Sequence, residues 1–240
     1  MIGIEYASFF AALGARVTVV EQQARLLEFC DGQIGEALKY HLRDLGVTFR
    51  LGETVASVAP DSGRNTDPAR ERQANRLGHR ALLGRPHRRH RRLGLDAIGL
   101  TADERGRVTV DERYRTAVEH VWAAGDVIGF PSLAATSTEQ GRLAACDAFG
   151  VQSAALPGNL PFGIYPVPEI SFIGATEEEL TANAVPYEVG ISRYRELARG
   201  QIAGDAHGLL KLLVCPSTRR LLGVHVFGTG ATELVHVARP

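Results

Sequence analysis

The residues that most constrain the fold are Val121-Trp122-Ala123-Ala124-Gly125-Asp126-Val127-Ile128-Gly129. Four apolar residues running straight into Gly-Asp predict a buried strand with an abrupt carboxyl end, as in a sheet covered on both faces. Open α/β sheets present ligands at that edge, and Asp126 places an acceptor-only carboxylate there. Pro131-Ser132 then break the chain, and Leu133-Ala134-Ala135 begin a helical pattern that reaches about Phe149, with Gln140-Gly141-Arg142 inside it. A plain Gly-Asp turn closing a core strand fits the same residues, and both readings stand at this point.

The amino-terminal residues repeat the α/β theme. Residues 3–14 read as a short helix with a glycine at its carboxyl end, and Val17-Thr18-Val19-Val20 as a buried strand with Glu21 at its tip. This is the back half of a Rossmann βαβ unit, in which an acidic residue is placed to bond a ribose 2′-hydroxyl. If Gly3 is the last glycine of GxGxxG, the first two glycines and the preceding strand are expected upstream of Met1. Residues 32–45 read as an amphipathic helix. Val47–Arg50 and Thr54–Val58 follow as strands.

Bulk properties exclude several classes. With 240 residues, 45% hydrophobic content and zero formal net charge, the chain has ample core and no global field for nucleic acid or membrane. Its 27 basic residues include two lysines, Lys39 and Lys211, and the other 25 are arginine, a bias that points first to GC-rich coding DNA. Cys30, Cys146 and Cys215 form no CxxC or CxxxxC pair, so reduced thiols in a cytoplasmic protein are expected. The apolar start lacks a basic region and is interrupted by Glu5 and Arg16, unlike a signal peptide, and no apolar run has membrane-spanning length. The expected partners therefore exclude nucleic acid and membrane.

Residues 66–92 break the pattern, with nine arginines and three histidines between Arg70 and Arg92 and Glu71 as the only acid there. They read as a basic nucleic-acid patch, as a metal pair at His87-x-x-His90, or as aberrant text.

After this, Arg107–Asp111 and Tyr114–Thr116 read as short extended pieces and Leu156–Asn159 as a linker. An extended segment with early prolines covers 163–174, and Thr176-x-x-Glu179 is a capping box. Leu209–Val214 and Leu221–Phe227 read as a hairpin with alternating faces, and Ala231–His236 starts another helix.

Taken together, these motifs resemble the pyridine nucleotide–disulfide oxidoreductase flavoproteins. Ala-Ala-Gly-Asp-Val, the Pro-Ser-Leu-Ala turn and the Gln-Gly-Arg helix resemble that family's second FAD-contacting segment. Gly-Ile-Glu-Tyr-Ala resembles the start of its NAD-domain helix. The resemblance implies that Asp126 accepts from a flavin ribityl hydroxyl. It also implies that the backbone at Leu133 and Ala134 faces the pyrimidine edge of the ring, where a helix start supplies donors and partial positive charge. Gly3, Glu5 and Glu21 become the nucleotide contacts, with Glu5 near the nicotinamide–flavin junction. A first-turn carboxylate favoured by the helix dipole is the other reading of Glu5.

Pro-Glu-Ile-Ser, Thr-Glu-x-Glu-Leu-Thr and Pro-Tyr-Glu-Val-Gly are closest to the soluble transhydrogenase branch. That branch moves hydride between NADPH and NAD⁺ through FAD and needs no catalytic thiol. No catalytic residue and no metal ligand is assigned to the chain itself. Glu21 suits NADH, because a carboxylate repels a 2′-phosphate. The alternatives are a flavin disulfide reductase such as dihydrolipoamide dehydrogenase, or an inactive fragment of either.

The expected fold class is α/β: a partial Rossmann-type NAD-binding domain at 1–100, an FAD-domain return segment at 101–158, and the start of an α+β dimer-interface domain at 159–240. The chain is expected to be truncated at both ends, and the full-length family member to be a homo-oligomer. The resemblance implies a Trp-x-x-Gly-Arg-Thr-Gly-Asn/Asp-Thr-Asp run, here taken with Asp, just before a Leu-Gly-Leu like that at 93–95. Written in GC-rich codons and read from the third base, that run gives Pro-His-Arg-Arg-His-Arg, the residues at Pro86 to Arg91, so Gly84–Arg92 is expected to be out-of-frame text.

Overall fold

A computed structural model describes residues 1–55, 93–129, 131–153 and 160–237. The basic stretch, most of the expected 54–58 strand and the Leu156–Asn159 linker lie outside the described residues. The chain divides into two compact units, Met1–Leu83 with Asn159–Pro240, and Gly84–Gly158.

The first unit begins with α1 (Ile2–Ala12), β1 (Thr18–Glu21), α2 (Gly32–Asp44) and β2 (Thr48–Leu51). Both helices stop in the same way. Gly14 and Gly46 take φ +81° and +85°, and the next residue's N–H reaches back to the helix, Ala15 to Phe10 O and Val47 to Leu42 O. Glycine adopts that turn without strain, which ends each helix and lets the chain run on toward the strand that follows. β1 and β2 pair in parallel, Thr18 opposite Thr48 through Glu21 opposite Leu51.

The same unit contains β3 (Phe162–Ile164), β4 (Ile170–Gly174), α4 (Glu177–Ala182), β5 (Glu188–Arg193), α5 (Ala198–Ala203), β6 (Leu209–Val214), β7 (Leu221–Phe227) and α6 (Ala231–Val237). Its antiparallel sheet runs β3-β4-β7-β6-β5. Ile173, Val224 and Val226 on one face pack against Ala231 and Val235 of α6. The other face carries Phe172, His225 and Lys211 in register. The Thr176–Glu179 capping box forms with both of its reciprocal bonds. β6 alternates as expected, whereas β7 is buried continuously from Gly223 to Phe227, because as a central strand it is covered on both faces.

Lys211 is fully buried in the middle of β6. Its ammonium bonds both oxygens of Asp31 at 2.7 and 2.8 Å and also Glu177. Asp31 is itself fully buried, caps α2 through Gln33 N–H at 3.0 Å, and accepts Glu177 N–H at 3.2 Å. Burial alone would raise its carboxyl, but the bonds from Lys211 and Glu177 outweigh burial and hold it below the ordinary range. One ion cluster thus joins the start of α2, the start of α4 and the sheet.

In the second unit, Leu95–Ile98 and Gly125–Ile128 form 3-10 turns, and α3 spans Ala134–Ala148. Ala102 bridges Val108, and Arg115 bridges Trp122. Val121–Ala124 is therefore a half-buried extended piece with one bridge, not the buried strand expected from its composition. An apolar run becomes a sheet strand only where a neighbouring strand hydrogen-bonds it along its length, and here Thr116 N–H reaches Val121 O at 2.9 Å and Ala123 N–H reaches Tyr114 O at 3.0 Å, enough for a single bridge.

Candidate functional site

The Gly125–Ile128 turn is held at three points. Gly125 N–H donates to the buried Gln140 Oε1 at 2.8 Å, one bond from α3 that fixes the peptide next to Asp126. Gly125 has φ +78°, and a Cβ there would lie 3.2 Å from Ser137, so the turn sits flush against the first turns of α3. Val108 N–H bonds Val127 O at 2.9 Å from the other side.

Upstream, Trp122 Nε1–H donates to Asp147 Oδ2 at 2.9 Å, and Arg115 bonds the same carboxylate. The hydrogen bonds of Arg115 and then Trp122 keep Asp147 well below the ordinary carboxylate range. Asp147 and Gln140, two turns apart on α3, therefore clamp both ends of the apolar run. Asp126 itself is exposed on the turn. Ser132, at φ +50°, is pinned by its hydroxyl donating to Gly129 O at 2.7 Å. Leu133 is the N-cap of α3 with no side-chain cap, and Ala134 is exposed just after it. An exposed carboxylate precedes a helix start whose N–H groups no side chain caps. That donor and acceptor set suits a polyhydroxyl chain joined to an electron-rich ring edge.

In the first unit, Gly3 and Glu5 lie in the first turn of α1 and Glu21 at the end of β1. Glu5 Oε1 accepts Tyr165 N–H at 3.0 Å, and Ser8 accepts Val167 N–H at 2.9 Å, so this face of α1 holds the segment between β3 and β4. Glu21 Oε1 accepts Gln23 N–H at 3.1 Å, which fixes the carboxylate at the strand tip. The site residues thus fall into two groups, Gly3, Glu5 and Glu21 in one unit and Asp126, Leu133 and Ala134 in the other.

A sequence profile described as pyridine nucleotide-disulphide oxidoreductase matches residues 1–141, and that family's dimerisation domain matches residues 160–239. The chain belongs to the pyridine nucleotide-disulphide oxidoreductase family. Among curated relatives of the family, the soluble pyridine nucleotide transhydrogenase of Mycobacterium tuberculosis (strain ATCC 25177 / H37Ra) is 55% identical over 240 residues, covering 100% of this chain and 51% of the relative. The protein of the same name from Marinobacter nauticus is 44% identical, covering 100% and 52%.

The chain spans about half the length of the curated relatives it matches. Among solved structures, LpdA from M. tuberculosis matches with TM-score 0.84 at 24% identity, covering 99% of this chain and 52% of that one. The HOCl-induced flavoprotein disulfide reductase RclA from Escherichia coli, in its Cu(II) complex, gives 0.83 at 24%, covering 98% and 54%. At that identity these two establish the fold. Both curated relatives carry the transhydrogenase name, as the Pro-Glu-Ile-Ser and Pro-Tyr-Glu-Val-Gly motifs suggested.

Within this family fold, sequence reasoning overlooked the residues that set the geometry. Gln140 was visible as part of Gln-Gly-Arg, but its bond to Gly125 spans 15 residues and needs the helix in place. Asp147 carried no signal beyond being an acid late in a helix. Lys211 did carry one: a lysine at an inward position of Leu-Leu-Lys-Leu-Leu-Val, in a chain almost without lysine, needs a buried acid. No described helix is long and apolar enough to cross a membrane, and no group of three metal-ligating side chains occurs among the described residues.

Proposed function

We propose that this chain carries half of a soluble FAD-dependent transhydrogenase of the cytoplasm, moving hydride between NADPH and NAD⁺. When bound, FAD supplies the relay between the two nicotinamides. The chain's own residues do the holding. Asp126 accepts from a ribityl hydroxyl, and the Leu133–Ala134 backbone donates to the pyrimidine edge of the ring. Gln140 keeps the Gly125–Asp126 peptide from turning away. Gly3 lets the dinucleotide approach the start of α1, and Glu21 accepts from the adenosine ribose through the oxygen that Gln23 does not use. Glu5 orders the nicotinamide end of the site while holding the Tyr165 amide. The sheet and α6 form the homo-oligomer contact, with residues 1–100, 101–158 and 159–240 serving as NAD, FAD-return and interface domains.

The observation that supports this most is the Gly125–Asp126 turn, clamped by Gln140 against an uncapped helix start. The test is hydride transfer from NADPH to thio-NAD⁺ by protein loaded with FAD. Transfer that requires the flavin and survives thiol alkylation is expected. FAD-bound protein that transfers no hydride, or needs a disulfide acceptor, contradicts the reading.

A further inference from the structure

His41 lies in the last turn of α2, and His207 in the loop that enters β6. Their ring centroids are 4.5 Å apart and the rings are tilted by 55°. Phe227 of β7 closes a third side, 6.2 Å from His41. His41 Nδ1 is sealed from solvent with no hydrogen-bond partner, whereas His207 is exposed. A proton added to Nδ1 would find no acceptor, and on a doubly charged pair it would face a second cation.

The charged groups acting on His41 are His207 and Asp205 from the loop and Asp44 from α2, and β7 sets the Phe227 ring beside it. Burial, and then His207, hold His41 below its ordinary value of 6.5; the two aspartates pull the other way without cancelling this. The loop is tightly set. Tyr194 N–H donates to Gly208 O at 2.8 Å and Asp205 N–H to Gly200 O at 2.9 Å, and a Cβ on Gly208 would lie 2.3 Å from the Tyr194 ring.

We propose that the His41–His207 contact is an acid-opened seam between α2 and the loop before β6. The seam is closed while both rings are neutral and loosens when both are charged. The inference uses this unit alone and does not depend on the flavin reading. The sign follows from the depressed His41 value. As pH falls through 6.5 the opened form takes up protons that the closed form refuses, so closure weakens until the lower folded value is passed.

The test is amide exchange by NMR on the full chain, with protection at Tyr194 and Asp205 expressed relative to Val226 in β7. Between about pH 7.5 and 5.5 that ratio is expected to fall by roughly threefold to tenfold. It should stay flat in His41→Phe, which keeps an aromatic ring against Phe227. A flat ratio in the wild-type chain, or an undiminished fall in His41→Phe, overturns the proposal. Should that variant not fold, the surface variant His207→Asn gives an independent reading. The His41 imidazole titration should move up toward 6.5 once the neighbouring cation is gone. An unchanged titration overturns the proposal.

Discussion

Asp31 and Asp126 each precede a helix start, in different units, and their surroundings are opposite. Asp31 is fully buried and saturated: Lys211 binds both oxygens, and the Gln33 and Glu177 amides take up the remaining lone pairs. The start of α2 is closed further by Glu178, which accepts Gly32 N–H at 3.0 Å. Asp126 is exposed, on a turn held rigid by its neighbours, ahead of a helix start without a side-chain cap. Asp31 is enclosed by the contacts that hold the fold, whereas Asp126 stands at the surface on a turn fixed through its neighbours. The first unit places its charges in a buried joint, and the second fixes the Gly125 peptide with a neutral hydrogen bond from Gln140 and the preceding segment with the Arg115–Asp147 ion pair.

Lys211 should produce the largest effect. Lys211→Ala leaves Asp31 buried without its cation and should cost about 3–5 kcal/mol in urea unfolding. Lys211→Met fills the space without a charge, but Asp31 must then protonate, so its loss should be smaller and should shrink in Asp31→Asn/Lys211→Met. Equal losses for Ala and Met would mean the cluster acts by volume and not by charge.

Gln140→Leu should come next. It leaves the buried Gly125 N–H unpaired at a cost of about 1–3 kcal/mol, while Gln140→Glu, which still offers an acceptor, should cost less. Gly125→Ala should cost about 1–2 kcal/mol through φ +78°, with the Ser137 contact adding to it. Either substitution should weaken flavin retention more than it lowers stability, if the turn exists to aim Asp126.

The pH dependence of stability reports on the buried joint. The Asp31 carboxyl is held below its ordinary value of 3.8, so its stabilisation is complete above that pH and is lost as pH falls through the folded value. Asp31→Asn should remove that acid step from the stability profile. The smallest effect is expected at the rim of the same joint. Arg25→Ala breaks an ion pair whose side chains are both 44% exposed and should cost about 0–1 kcal/mol.

What the sequence disclosed follows from which forces are local. α2 and the Thr176–Glu179 box are written in contiguous residues and form where expected. The β6–β7 hairpin is equally local. Val121–Ala124 reads as a strand because composition reports burial tendency but not the neighbours a sheet requires. β5 escaped notice because Glu188, Gly190 and Ser192 carry little strand signal, and an edge strand is made by its bonds to β6. At the site, Asp126 was legible as a carboxylate after a glycine. Gln140, which bonds the Gly125 amide, and Asp147, which bonds the Trp122 indole, act across 15 and 25 residues of chain and gave no local sign.

The most direct measurement is the FAD dissociation constant of the protein against Asp126→Ala and Asp126→Asn, followed by quenching of flavin fluorescence. Loss of a charge-assisted bond is worth about 1.5–3 kcal/mol, so Asp126→Ala should weaken binding roughly tenfold to a hundredfold, with Asp126→Asn between the two and unfolding unchanged. Equal affinity for FAD in all three proteins would contradict a flavin-holding role for this turn.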